Sequence, residues 1–142
     1  MGFIKTHEKI ESWLAGACAK FTPLSQREYG DLVASWRNNF EPTLTSRAVL
    51  VGKSAERAAQ NALPSDAYIF RVPGYRWLPA GTDARFDRTY AYEVIGLTVI
   101  DFAIANAADA VITDKLLTFT CLCTHEAGQL ANVEFCALPD NG

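Results

Sequence analysis

Residues 116–138 restrict the fold more than any other part of the sequence. LLTFTCLCT (116–124) and LANVEFCAL (130–138) are two strand-length runs separated by a loop around Ala127 and Gly128. That layout predicts a β-hairpin, and with it an antiparallel sheet. Side chains alternate across a strand, so Phe119, Cys121, Cys123 and His125 share one face, and Ala131, Val133, Phe135 and Ala137 share one on the second strand. Keeping both apolar sets together pairs Cys123 with Val133 and Cys121 with Phe135. A slip of one residue would bury Asn132 and Glu134 instead, at the cost of desolvating polar groups.

This register decides how the cysteines are read. The chain has four, Cys18, Cys121, Cys123 and Cys136, and two histidines, His7 and His125. Cys136 falls on the face opposite Cys121 and Cys123, so a four-ligand zinc site using all three and His125 would have ligands pointing opposite ways. Neighbours at i and i+2 on a strand stand roughly 6.6 Å apart at Cα. That spacing is unfavourable for a Cys123–His125 catalytic dyad, and a Cys121–Cys123 disulfide would be strained. No metal site and no cofactor are expected. Buried, reduced cysteines acting as small apolar groups fit best, which favours a reducing, cytoplasmic location.

Two helices are expected in the first 42 residues. Ile10, Trp13, Leu14, Ala17, Cys18 and Phe21 recur with helical period after Thr6, a capping residue, and Thr22-Pro23 is expected to end the helix. Ser25 and Glu28 form a capping box that opens a second helix carrying Tyr29, Leu32, Val33, Trp36 and Phe40, with Pro42 expected to close it. The short link predicts antiparallel neighbours with Trp13 and Trp36 in one shared core. Residues 48–51 are too few to assign. A small helix is expected over 54–62 with Ser54 as its cap, and a strand over 67–72. Residues 90–108 are apolar with little periodicity, and their length predicts a central buried helix on which Asp101 would need a partner. The fold class expected is α+β: an antiparallel helix pair and a central helix packed on one face of a small antiparallel sheet.

With 142 residues, 49% apolar and 20% charged, the chain suits a single globular domain, residues 1–142. No apolar run approaches the ~20 residues of a membrane span, and no membrane association is expected beyond a loose myristoylation pattern at Gly2 and Thr6. Charge is uneven. Residues 1–88 hold 12 of the 13 Lys and Arg with 9 acids, and residues 89–142 hold one Lys with 7 acids, so the two parts carry about +3 and −6. Such asymmetry argues against a uniformly basic nucleic-acid-binding domain and suggests that different faces meet different partners, or that copies associate head to tail. Gly52-Lys53-Ser54 is similar to the end of a phosphate-binding P-loop, but Arg47 stands where that loop needs its first glycine.

The stretch with the composition of a working surface is 70–92, FRVPGYRWLPAGTDARFDRTYAY. It sets Arg71, Arg76, Arg85 and Arg88 among Tyr75, Trp77 and Tyr90. Planar guanidinium and aromatic groups give large contact area for little lost entropy, which is why they dominate protein–protein hot spots. The expected function is therefore a non-enzymatic interaction or assembly protein that engages a partner or itself through these seven residues. The alternative is a small nucleotide- or phosphate-binding protein or enzyme using the same arginines, with nucleotide or nucleic acid as partner. In an enzymatic version Arg71 would hold an anion beside Glu93 or Asp101 as base. No catalytic residue is assigned.

Overall fold

Alternating burial along the strands organises the molecule. The computed structural model describes residues 6–44, 50–71, 90–124 and 133–137. In chain order these form α1 (Thr6–Ala17), β1 (Lys20–Pro23), α2 (Gln26–Leu44), β2 (Leu50–Val51), α3 (Gly52–Asn61), β3 (Ala67–Phe70), β4 (Ala91–Ile95), α4 (Phe102–Ala107), β5 (Val111–Asp114), β6 (Phe119–Cys123) and β7 (Val133–Ala137). The strands make one antiparallel sheet in the order β1-β4-β3-β5-β6-β7-β2. The fold is α+β, as the sequence predicts.

Helices cover both faces of this sheet. On one, Ile10, Trp13 and Leu14 of α1, Ala55 and Ala59 of α3 and Ala105 of α4 pack on Ile69, Tyr92, Ile112, Cys121 and Cys123. On the other, Leu32, Trp36 and Phe40 of α2 pack on Phe70, Ala91, Val111 and Leu122. Trp13 and Trp36 therefore sit in separate cores, correcting the expected shared one. The cause is β1: after α1 the chain enters the sheet, with Ala19 N–H donating to the Ile95 carbonyl (2.9 Å) and Phe21 edge-on to Tyr92 (5.8 Å). Crossing the sheet edge puts α2 on the far side. Phe21 belongs to this strand, not to α1.

The expected central helix over 90–108 is also corrected. Its first part is β4 and its last part is the short α4, with the break at Gly96. Gly96 has φ +74°, and a Cβ there would lie 2.9 Å from the Ala19 side chain, so the helix could not run through it in this fold. Periodicity fails in this run because β4 is covered on both faces. Asp101 finds the partner it needs by capping α4, accepting from Ile104 N–H at 3.1 Å.

The capping box forms as read: Ser25 N–H donates to Glu28 Oε1 (2.8 Å) and Glu28 N–H to Ser25 Oγ (3.1 Å). The helix runs two residues past Pro42. α3 begins at Gly52, turned out of β2 by its φ of +66°, so Ser54 lies inside the helix and does not cap it. The hairpin register holds, with Cys121 opposite Phe135, Cys123 opposite Val133, and Cys136 opposite Thr120. No helix among the described residues is long and apolar enough to cross a membrane.

Candidate functional site

The two ends of the arginine- and aromatic-rich stretch meet at one end of the sheet. β3 and β4 are paired neighbours, with Phe70 opposite Ala91. One step beyond, Arg71 N–H donates to the Tyr90 carbonyl at 3.4 Å. Arg71 and Tyr90, the residues on either side of 72–89, are therefore neighbours at this end of the sheet.

Both boundary residues are turned inward. Arg71 is 6% exposed and Tyr90 is 5% exposed. The Arg71 guanidinium lies 3.6 Å from Asp109 Oδ2, and its backbone carbonyl accepts from the Tyr29 hydroxyl of α2. The Tyr90 hydroxyl donates to the Ala108 carbonyl at 3.0 Å. Burial raises the Tyr90 phenol well above its ordinary range, against the opposing pull of Arg71, so it stays a neutral donor.

Asp109 is where it is because of how α4 ends. Ala110 N–H donates to the Ala105 carbonyl (3.0 Å) and Asp109 N–H to the Asn106 carbonyl (3.2 Å), the paired bonds of a Schellman C-cap. The residue after such a cap takes a left-handed conformation, and Asp109 does so at φ +54°. Glycine is the usual occupant; aspartate tolerates the conformation and here delivers a carboxylate to Arg71.

Cys123 borders the same cluster, its N–H donating to the Ala110 carbonyl at 2.9 Å. Its Sγ is 4.0 Å from that of Cys121, and both residues are fully buried. The hydrogen bond with Cys121, then burial, pushes the Cys123 thiol well up, so it is a poor nucleophile. Cys121 and Cys123 are expected to resist maleimide labelling in the folded protein and to react only on unfolding, while half-buried Cys18 labels first. Peptide mapping of pulse-labelled protein checks this, and rapid native labelling of Cys123 would contradict the packing.

Among the described residues, Arg71 is not brought together with Glu93 or Asp101. Glu93 points to the α2 face and bonds the Lys115 ammonium, whereas Arg71 lies on the opposite face. Asp101 is committed to its cap. The cluster holds the Arg71–Asp109 ion pair, the neutral Tyr90 phenol and the Cys123 thiol with its raised pKa. Among the described residues, no three His, Cys, Asp or Glu side chains gather closely enough to hold a metal ion.

Of the seven residues singled out in the sequence, Arg71 and Tyr90 are thus brought together at the base of the stretch. Both residues are buried. Tyr75, Arg76, Trp77, Arg85 and Arg88 lie outside the described residues, as does His125. Sequence reasoning missed Asp109 and Tyr29. An aspartate directly after the alanine-rich end of α4, in a C-capping position, was the available signal for the first. No protein-family model, curated protein or solved structure matches this chain.

Proposed function

We propose that this protein is a non-enzymatic interaction or assembly module, working in a reducing intracellular compartment, that engages a partner or further copies of itself through residues 72–89. One observation carries the reading. β3 and β4 are adjacent antiparallel strands, which a turn of about 2–5 residues ordinarily joins. Here the whole of 72–89 is spent on the connection, and both its ends are fixed in a buried polar clamp. A long, anchored insertion rich in Arg, Tyr and Trp has the composition and mounting of a recognition element.

Tyr75, Arg76, Trp77, Arg85 and Arg88 are the contact residues on this reading, with Arg71 and Tyr90 as supports. The free thiols of Cys18, Cys121 and Cys123 are consistent with the compartment. The phosphate-ligand reading loses its strand-end arginine to Asp109 and would rest on Arg76, Arg85 and Arg88 alone.

Light scattering on a sizing column tests the proposal. Wild type should exceed the 15.6 kDa of one chain, and Arg76→Ala with Trp77→Ala should return it to that mass with an unchanged melting temperature. The double substitution should weaken association by at least ~100-fold, as expected for two hot-spot side chains. An oligomer indifferent to the substitutions, or a monomer stabilised by nucleotides, would contradict it.

A further inference from the structure

The α2 face of the sheet contains a groove of about 310 Å³, outside the cluster around Arg71. Glu28 and Asp31 of α2 form one wall; Tyr68 of β3, Glu93 of β4 and Lys115 form the other, above Leu32. Lys115 follows the C-terminal end of β5, and Arg71 that of β3. These strands are antiparallel, so Lys115 lies toward the end of the sheet away from Arg71.

Its chemistry suits a cation with a flat or apolar body. Three carboxylates, Glu28, Asp31 and Glu93, and one ammonium, Lys115, line it. That ammonium shows how the groove treats a positive charge: Lys115 Nζ bonds Glu93 Oε2 and stands 4.9 Å above the centre of the Tyr68 ring. Burial alone would lower the Lys115 pKa; the bond to Glu93 and the charges of Tyr68, Glu93 and Asp66 raise it instead. Lys115 answers only part of the negative charge, and Asp31 makes no ion pair among the described residues.

We infer that this groove receives the arginine- and aromatic-rich segment, residues 72–89, of a second copy of the chain, so that copies join head to tail. The inference rests on the function proposed above and names the receptor for the same segment. Charge complementarity selects the occupant. Residues 72–89 carry Arg76, Arg85 and Arg88 against Asp83 and Asp87, net +1, among Tyr75 and Trp77, while the groove sets Glu28, Asp31 and Glu93 against Lys115, net −2. A guanidinium stacks on a tyrosine face and pairs with carboxylates at once, which a free anion or an apolar helix cannot do here. Segment and groove are different surfaces, so the contact is heterologous: each copy keeps one free segment and one free groove.

Mixing two charge reversals tests this directly. Asp31→Arg alters the groove on an exposed helical position that takes no part in capping or core packing, and Arg76→Glu alters the segment. Each variant alone should remain monomeric at concentrations where wild type assembles. An equimolar mixture should recover association, because the intact groove of one copy can take the intact segment of the other. Circular dichroism and melting temperature verify that each variant is folded.

Assembly lost in Arg76→Glu but retained in Asp31→Arg would overturn the groove assignment and leave the segment's role standing. Wild-type assembly in both variants would overturn the inference and the self-association reading together. A wild type that is monomeric at every concentration would overturn the inference and leave a foreign partner for the segment.

Discussion

Trp36→Ala is expected to destabilise the protein by about 3–5 kcal/mol, the usual range for truncating a buried tryptophan. Trp36 is fully buried between α2 and the sheet, near Phe40 (6.3 Å between ring centres) and edge-on to Phe70 (6.2 Å). Its indole N–H donates to Thr120 Oγ1 at 2.9 Å. Removing the ring leaves a cavity on the face where Leu32, Trp36 and Phe40 of α2 pack. Trp36→Phe retains most of the packing and leaves the Thr120 hydroxyl its own acceptor, the Ile112 carbonyl (3.1 Å), so its cost should fall to about 1–2 kcal/mol. Urea unfolding of the two variants separates the terms. A Trp36→Ala cost below ~1 kcal/mol would mean that α2 is not packed on this face as described.

The second large effect concerns the clamp. Arg71→Met or Asp109→Asn alone should each cost about 3–5 kcal/mol, because each takes from a buried charge the ion-pair partner that stands 3.6 Å away. Asparagine is chosen since it tolerates the left-handed backbone of Asp109, so the loss reports the charge and not the conformation. The double variant should be markedly more stable than the sum of the singles, since neither residual charge then remains. Assembly should also weaken in each single variant, although neither side chain is a contact residue, because the base of 72–89 is loosened. Additive losses in the double-mutant cycle, or full assembly in an otherwise folded Asp109→Asn protein, would contradict the role assigned to this pair.

How much of this was legible in the sequence differs by element. The Ser25–Glu28 capping box and the β6–β7 register were readable because each is set by a few nearby residues: one by an N-terminal spacing, the other by which slip would bury Asn132 and Glu134. The division of 90–108 was not. Strands covered on both faces lose the alternation that marks a half-exposed one, and only Gly96 hinted at a break. The β5–β6 hairpin escaped for a related reason. Its turn is closed by Asp114, which accepts from Thr118 and Phe119 N–H (2.7 and 3.1 Å), and Leu117 takes the positive φ (57°) where glycine would have signalled a turn. The second helical layer followed from β1, four residues too few to announce a strand that switches faces.

At the site, composition pointed to the stretch 70–92 but could not sort its residues by role. Arg71 and Tyr90 look like Arg76 and Trp77 in sequence. The inward placement of Arg71 and Tyr90 follows from the end of α4, where Asp109 and Ala108 meet them. The groove was equally invisible, since it joins α2 to Tyr68, Glu93 and Lys115 on three separate parts of the chain.

The central claim is that residues 72–89 form the surface through which this protein associates. Hydrogen-exchange mass spectrometry at concentrations bracketing assembly tests it most directly. Slowed exchange on association is expected in peptides covering 72–89, with matching protection over 28–35 in α2 where the groove receives them. Unchanged exchange across 72–89, with protection appearing elsewhere, would contradict it.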